Sequence, residues 1–263
     1  MEIVWPVRLF EKSVLKQIKY RQMVDALGQT EGKHILEIGS DNGVFSYLFR
    51  RRGGAWKSAD IDERSVSAMR ELVKTDVYRL VEGKALPFAD DEFDVVLVVD
   101  IIEHLRDDSG FMKEVYRVLK PGGYLIVNAP NMKKGSLLMR FRQLIGMTDA
   151  NHGHVRPGYT YEDLRRLLGN DFTLESYSTH TKFFSKLTDT LMVIAISALK
   201  RNRKEKTSGR GVLVTGSDMK SYKTMFRVYS IVYPVVWLIS SLDHFLFFRS
   251  GYMLIATGHS TKT

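Results

Sequence analysis

The segment HILEIGSDNGVFSYLF, residues 34–49, sets the strongest limit on the fold of this chain. It opens with an apolar run typical of a buried strand, and this run ends at Gly39. After Gly43 the apolar residues return at helical spacing, between Val44 and Phe49. A strand that passes through a glycine turn into a helix begins a βαβ unit. In an open α/β sheet, ligands bind at such turns, beyond the carboxyl ends of the strands.

The same alternation continues along the chain. Further strands are predicted at AWKSADI, VYRLVEG, EFDVVLVVDII and YLIVNAP. The third of these is a nearly unbroken apolar run, as in a buried parallel strand. Strands that alternate with helices predict a doubly wound α/β domain with a largely parallel sheet. Outside this region we expect a helix from Leu9 to Leu27, ended by Gly28, and a short helix in TYEDLRRLLG, with Thr160 as N-cap and Asp163 at its third position.

Composition narrows the classes of function. The 263 residues include no cysteine, which excludes disulfides and thiol chemistry. The N-terminal twenty residues have no uninterrupted apolar core, so we expect no secretory signal. The net charge of +9 favours either simple solubility or an anionic partner, such as lipid headgroups, nucleic acid or a phosphorylated substrate.

Two carboxylates indicate what the glycine turn could bind. Asp60 ends the second strand, about twenty residues after the turn, where a carboxylate can accept hydrogen bonds from both hydroxyls of a ribose. Asp62 is equally suited to cap the next helix. The turn reads G-x-x-x-G rather than the dinucleotide pattern, and Glu37 lies two residues before it. A carboxylate there repels pyrophosphate and suits an ammonium or sulfonium group.

Over about residues 30 to 180, the chain resembles the class I S-adenosylmethionine-dependent methyltransferases. Four motifs carry the resemblance in the family's order: LEIGSDNG, ADID, VEGKALPFADDEFDVVLVVDIIEHLRD and EVYRVLKPGGYLIVNAPN. The resemblance implies a Rossmann-like, mostly parallel seven-stranded sheet whose last strand, GYMLIATG, inserts antiparallel. It implies S-adenosylmethionine as the cofactor. Two positions depart from the family pattern, with Asp41 in place of the middle glycine and Glu82 in place of the usual aspartate.

The resemblance also implies the residues that hold the cofactor. Glu37 and the loop from Gly39 to Gly43 would hold its aminoacyl part, with Asp41 adding a carboxylate there. The other implied contacts lie at the ends of the second, third and fourth strands. Asp60, followed by Ile61, would hold the ribose. Glu82 and Gly83 would lie near the adenine, and the backbone around Asp100 would border the methionine part.

The fourth strand ends in Asp100-Ile101-Ile102-Glu103-His104, which faces the expected acceptor. His104 is a candidate general base, with Asp100 and His154 as further catalytic candidates. The spacing D-x-x-E-H is similar to the E-x-x-E-H of metal-dependent small-RNA 2′-O-methyltransferases and to the pattern of ubiquinone-biosynthesis O-methyltransferases, and His154 matches a further histidine of the RNA enzymes. A divalent metal is therefore an alternative, but we predict no metal ligand. Glu103 could also serve only as a helix cap.

Two apolar segments lie outside the methyltransferase pattern: SKLTDTLMVIAISALK and RVYSIVYPVVWLISSLDHFLFF. We predict a methyltransferase domain at 1–182, a hydrophobic helical insertion at 183–249, and a last strand and tail at 250–263. The second segment is near the length of a membrane span but has an amphipathic pattern. The insertion therefore suits attachment to a membrane surface, packing within the protein, or, less well, a span. The basic stretch RNRKEKTSGR would form a linker between the two segments.

Together these features predict an O-methyltransferase acting on an amphipathic or lipid-linked acceptor: a glycan, a quinone precursor or a lipid headgroup. The lid over the acceptor would be NMKKGSLLMRFRQLIGM. We expect a cytoplasmic protein, peripheral to the inner face of a membrane, with no nucleic-acid partner. The alternatives are an RNA 2′-O-methyltransferase and a catalytically silent cofactor-binding scaffold. The oligomeric state is left open.

Overall fold

The computed structural model describes residues 5–40, 42–133, 135–147, 153–200 and 219–263. Seven strands form a single sheet in the order β3-β2-β1-β4-β5-β7-β6. The strands are β1 (His34–Ile38), β2 (Ala55–Asp60), β3 (Val77–Arg79), β4 (Phe93–Val99), β5 (Leu119–Pro130), β6 (Phe172–His180) and β7 (Met253–Ser260). Strands β1 to β5 run parallel, and β7 lies antiparallel between β5 and β6. This confirms the predicted mostly parallel, seven-stranded sheet.

Helices cover both faces of the sheet. They are α1 (Trp5–Glu11), α2 (Val14–Leu27), α3 (Val44–Arg50), α4 (Glu63–Val73), α5 (Asp108–Val118), α6 (Leu137–Leu144), α7 (Tyr161–Leu168), α8 (Phe183–Lys200) and α9 (Met219–Ser241). Two short 3₁₀ helices span Ile102–His104 and Leu242–Leu246. Helix α7 begins with the predicted capping box between Thr160 and Asp163.

The predicted helix from Leu9 to Leu27 is wrong in one respect, because it is two helices. Ser13 has an extended backbone between α1 and α2, and its hydroxyl accepts a hydrogen bond from the Lys16 amide. A serine with this geometry starts a new helix, and apolar spacing alone cannot reveal it. The predicted end at Gly28 is confirmed.

Alternating side chains of the central strands divide the core between the two faces of the sheet. Leu36 and Ile38 of β1 pack into a cluster with residues of α5 and α7. Ile35 of β1 packs into a second cluster, with Met23 of α2 and Phe49 of α3. Because both faces are covered, β4 is apolar at nearly every position, as the sequence predicts.

Helices α8 and α9 lie between β6 and β7 in the chain and pack against each other. Asp243, in the 3₁₀ helix after α9, joins the end of α9 to the start of α8. Its carboxylate accepts hydrogen bonds from the amides of Lys182, Phe184 and Ser185. Within the described residues, no helix is long and apolar enough to cross a membrane. The basic stretch RNRKEKTSGR lies outside those residues, and the division into three parts stays a prediction.

Candidate active site

A cavity of about 520 Å³ opens beyond the carboxyl ends of β1, β2 and β4. Gly39, Asp60 and Asp100 follow or end these three strands, and all three line it. The carboxyl ends of parallel strands share one edge of the sheet, so residues far apart in sequence meet there. The structure thus brings together these three residues of the predicted cofactor site.

The turn after β1 requires glycine at both ends. Gly39 has a φ of 99°, and a Cβ atom there would lie 2.0 Å from the carbonyl oxygen of Val99 at the end of β4. Gly43 has a φ of 77°, and its Cβ would lie 2.9 Å from the Cα of Met69. The turn therefore packs backbone against backbone, which no larger residue permits. Asp41, the predicted middle residue of this turn, lies outside the described residues.

Glu37, in β1, is hydrogen-bonded to the helix that follows the turn. Its side chain is fully buried, and its Oε2 accepts a hydrogen bond of 2.5 Å from the hydroxyl of Ser46 on α3. Burial raises the pKa of Glu37, and hydrogen bonds from serines offset part of this effect. Glu37 is absent from the described lining of the cavity. The geometry gives it the role of joining β1 to α3, and its predicted contact with the cofactor stays a prediction.

The predicted ribose and adenine residues line two cavities. Asp60 is 4% exposed, faces the first cavity, and accepts a hydrogen bond from the Asp62 amide at 2.8 Å. The next residue, Ile61, lines a second cavity of about 240 Å³ together with Glu82 and Gly83. Glu82 also accepts a hydrogen bond of 2.7 Å from the amide of Arg106. The four residues thus form a continuous border at the ends of β2 and β3.

Asp100 has a partner that the sequence did not reveal. Its Oδ2 forms an ion pair with the ammonium of Lys19, which reaches over from α2. Its Oδ1 is buried and has no hydrogen-bond partner among the described residues. The residue has a φ of 47°, in the left-handed region that is uncommon outside glycine. A strained backbone and an orphaned carboxylate oxygen at a strand end are typical of a binding site.

Glu103, His104 and His154 form a second group in the first cavity. Ligand atoms of the three side chains lie within 4.8 Å of one another, so they could hold a metal ion. The two imidazole rings meet edge to face, with centroids 4.8 Å apart. The Nδ1 of His104 lies 3.0 Å from the carbonyl oxygen of Gly153. A carbonyl only accepts, so Nδ1 carries the hydrogen and Nε2 has the lone pair.

The remaining wall of the cavity is formed by the predicted lid and by α8. Lid residues Met132, Lys133, Met139, Arg142 and Met147 line it, as expected for this segment. Lys186 and Asp189 of α8 also line it. These two could not be predicted from the sequence, because α8 reads as an apolar segment whose few charged side chains could face in any direction.

Comparison with known proteins agrees with this geometry. Residues 36–127 match the family model described as a methyltransferase domain. A demethylmenaquinone methyltransferase of Tropheryma whipplei is 36% identical over 104 residues, which are 38% of this chain and 43% of the relative. A ubiquinone biosynthesis O-methyltransferase of Parvibaculum lavamentivorans is 31% identical over 137 residues, 48% of this chain and 54% of the relative. The chain thus spans about half the length of the curated relatives it matches.

A solved structure shows the same fold. It is a methyltransferase-type protein from Bacillus halodurans, with a TM-score of 0.56 at 19% identity, covering 93% of this chain and 98% of the other. The matched family model and the sheet order identify the class of the domain. Over residues 36–127 the chain matches a methyltransferase domain, as its motifs predict, and S-adenosylmethionine is the cofactor of the class I family that those motifs resemble.

The residues present fit this cofactor. The buried Asp60 carboxylate offers acceptors for ribose hydroxyls. The orphaned Oδ1 of Asp100 offers an acceptor for an ammonium group, and Lys19 offers a cation for a carboxylate. The donor set therefore matches a zwitterionic, ribose-containing ligand.

Proposed function

We propose that this chain is an S-adenosylmethionine-dependent methyltransferase that methylates an oxygen of an amphipathic or lipid-linked acceptor at a membrane surface. One observation carries the proposal. A single cavity is lined both by strand-end residues suited to the cofactor and by His104 and the lid. The acceptor classes remain a glycan, a quinone precursor and a lipid headgroup, and the quinone-pathway names of two relatives support the second of these.

For methyl transfer to a hydroxyl, the protein must mainly align the acceptor oxygen with the methyl group and remove the hydroxyl proton. The bound cofactor supplies an electrophilic methyl group on its sulfonium. Asp60 and Asp100 hold the ligand at the strand ends, so that transfer becomes effectively unimolecular. His104 accepts the proton of the acceptor hydroxyl at Nε2, because its Nδ1 is held by the Gly153 carbonyl. The buried Glu103 carboxylate lies close enough to stabilise the imidazolium that forms.

Exposed apolar side chains support action at a membrane surface. On α9 and the segment after it, seven large apolar residues are more than half exposed: Ile231, Val235, Trp237, Leu238, Phe245, Phe247 and Phe248. On the lid helix α6, Leu137 is 78% and Leu144 is 85% exposed. Both helices pack against α8. Arg227 and Arg249 flank the apolar residues of α9, as suits a helix that lies in an anionic lipid interface.

The proposal is tested in two steps with the full chain. Calorimetric titration with S-adenosylmethionine and S-adenosylhomocysteine should show binding in the micromolar range. Methyl transfer to lipid-extract acceptors should then fall about a hundredfold in His104→Gln, with cofactor binding unchanged. His259→Gln, at an exposed histidine far along β7, is the matched control. Absence of binding by folded protein would refute the methyltransferase assignment and favour a different ligand or a silent scaffold.

Attachment to lipid is measured by sedimentation with vesicles of phosphatidylglycerol or of phosphatidylcholine. The wild-type chain should sediment with the anionic vesicles, and the combined change Trp237→Ser and Phe247→Ser should weaken this at least about tenfold. Tyr161→Ser removes an exposed aromatic residue of α7 and is the control. Equal sedimentation of the two variants would contradict a docking role for α9.

The Glu103–His104–His154 group favours a second candidate, in which a divalent metal activates the acceptor oxygen. The resemblance to RNA 2′-O-methyltransferases makes small RNA the acceptor to try in that case. Methyl transfer to lipid extract and to small RNA is compared before and after chelation. Transfer to lipid acceptors that survives chelation supports His104 as the base. Transfer to RNA that needs added Mg²⁺ or Mn²⁺ would replace the first proposal with the second.

A further inference from the structure

The acceptor side of the cavity carries an excess of positive charge. Lys133 follows β5, Arg142 belongs to α6 and Lys186 belongs to α8, and all three line the cavity. Asp189 is the acidic residue that these three elements place on the same lining among the described residues. On these three elements, three cations thus line the cavity beside one carboxylate, in a partly enclosed space where electrostatic interactions are stronger than in water.

Arg142 forms an ion pair with the Asp189 carboxylate. The residue is 5% exposed, and its Nη1 lies 2.6 Å from the hydroxyl oxygen of Thr190 and 3.2 Å from Oδ2 of Asp189. These contacts join the lid helix α6 to α8. A buried guanidinium with a carboxylate partner is balanced. Among the described residues, Asp189 pairs directly with Arg142 and with neither lysine, which leaves the two lysines to be accounted for.

Lys186 has no such partner. Among the described residues, its ammonium forms no hydrogen bond or ion pair, although the residue is partly buried. Burial lowers its pKa, and the attraction of Asp189 and Asp100 is opposed by the neighbouring charges of Arg142 and Lys19. A desolvated ammonium beside two other cations is unfavourable unless a ligand supplies negative charge.

Lys133 is held toward the same space. Its ammonium donates a 2.6 Å hydrogen bond to the carbonyl oxygen of Ser250 and lies 4.7 Å from the ring centre of Tyr252. Neither contact neutralises its charge. Burial lowers its pKa, the nearby Arg249 lowers it further, and Asp243, which forms no ion pair with it among the described residues, acts in the opposite direction. The lysine is therefore fixed in place as a cation without a carboxylate partner, as in a preformed anion site.

We propose that Lys186 and Lys133 form an anion subsite in the acceptor half of the cavity, which binds a phosphate or carboxylate group of the acceptor. This inference rests on the proposed function, since it assigns a chemical class to the acceptor of that site. The apolar lid residues Met132, Met139 and Met147 line the same cavity and suit the rest of an amphipathic acceptor. The acceptor is thus an anionic amphiphile, and Arg142 holds α6 and α8 around it.

The test compares three small amphiphiles with alkyl chains of nearly equal length and different head groups: octyl phosphate, octanoate and octyl glucoside. Each is titrated into the full chain by calorimetry, with and without S-adenosylhomocysteine. Octyl phosphate or octanoate should bind at least about tenfold more tightly than octyl glucoside. The tighter of the two anions shows whether the natural group is a phosphate or a carboxylate. Equal affinity for all three amphiphiles would overturn the proposal.

Variants separate this subsite from the cofactor site. Lys186→Met and Lys133→Met should each weaken binding of the anionic amphiphile about tenfold and leave S-adenosylhomocysteine affinity unchanged. Lys182→Met, just before α8 and outside the described lining of the cavity, is the control. Weakened S-adenosylhomocysteine binding with unchanged anion binding would overturn the proposal and make these lysines cofactor contacts. Failure of S-adenosylhomocysteine to bind the wild-type chain would refute the proposed function, while the amphiphile titrations would still decide the anion subsite.

Discussion

Lowering the pH should destabilise the fold through His180, at the end of β6. This histidine is 6% exposed. Its Nε2 lies 2.8 Å from the side-chain nitrogen of Asn128 on β5, and that nitrogen also donates to the carbonyl oxygen of Leu254. The second bond fixes the amide orientation, so Nε2 of His180 must accept. Nδ1 then donates to the hydroxyl of Thr181 at 3.0 Å. Protonation would set two donors against each other.

The structure gives the size and sign of this effect. Burial, helped by the ammonium of Lys19 and partly opposed by Asp100, lowers the pKa of His180 from 6.5 to about 4. The unfolded chain therefore binds the proton more readily than the folded chain. Stability is lost as the pH falls from about 6.5 to about 4. At about 1.36 kcal/mol per unit, the full loss is about 3 kcal/mol.

The assay is urea unfolding at a series of pH values between neutral and acid. In His180→Gln, the free energy of unfolding should no longer show the loss of about 3 kcal/mol on acidification. Glutamine can accept the hydrogen bond from Asn128 and does not become protonated in this pH range. His259→Gln removes a half-exposed histidine of β7 and should keep most of the wild-type slope. Parallel pH dependence in wild type and His180→Gln would refute the reasoning. A pKa near 6.5 for His180 by NMR would refute it as well.

Three other substitutions test the packing of the site. Gly39→Ala should cost more than about 3 kcal/mol and abolish S-adenosylhomocysteine binding in calorimetry, because its Cβ meets the Val99 carbonyl, whereas Gly122→Ala meets open space and should keep binding. Tyr159→Phe should lower the free energy of unfolding by about 1–3 kcal/mol in urea, since a buried hydroxyl that donates to a carboxylate is lost. Asp243→Ala should cost about 1–2 kcal/mol in the same assay, because α8 loses its cap. An unchanged midpoint in any of the three would contradict its contact.

Much of the fold can be predicted from the sequence because the central sheet is buried on both faces. Such strands are nearly continuous apolar runs, and β4 is one of them. Two features could not be predicted from periodicity. The break at Ser13 depends on the conformation of one residue. The start of β5 at Leu119, within the segment LKPGG, depends on pairing with Phe93 of β4, which is a tertiary contact.

The candidate site divides in the same way. Gly39, Asp60 and Asp100 could be predicted, because each follows or ends a strand and strand ends share one edge of the sheet. Lys19 and Lys186 could not, because their helices lie outside the alternating core. The direction of a helical side chain depends on how the whole helix packs against the sheet, and this packing is known only once the fold is known.

This division bears on what similarity can reveal about the acceptor. The family model ends at residue 127, so it includes the ends of β1, β2 and β4 but neither α6 nor α8. Lys133, Arg142 and Lys186 all lie beyond that point. The cofactor half of the cavity thus lies within the matched family model, and the acceptor half lies outside it. The charge of Lys186 and Lys133 is therefore stronger evidence about the acceptor than any relative's name, and it directs the first acceptor screen to anionic amphiphiles.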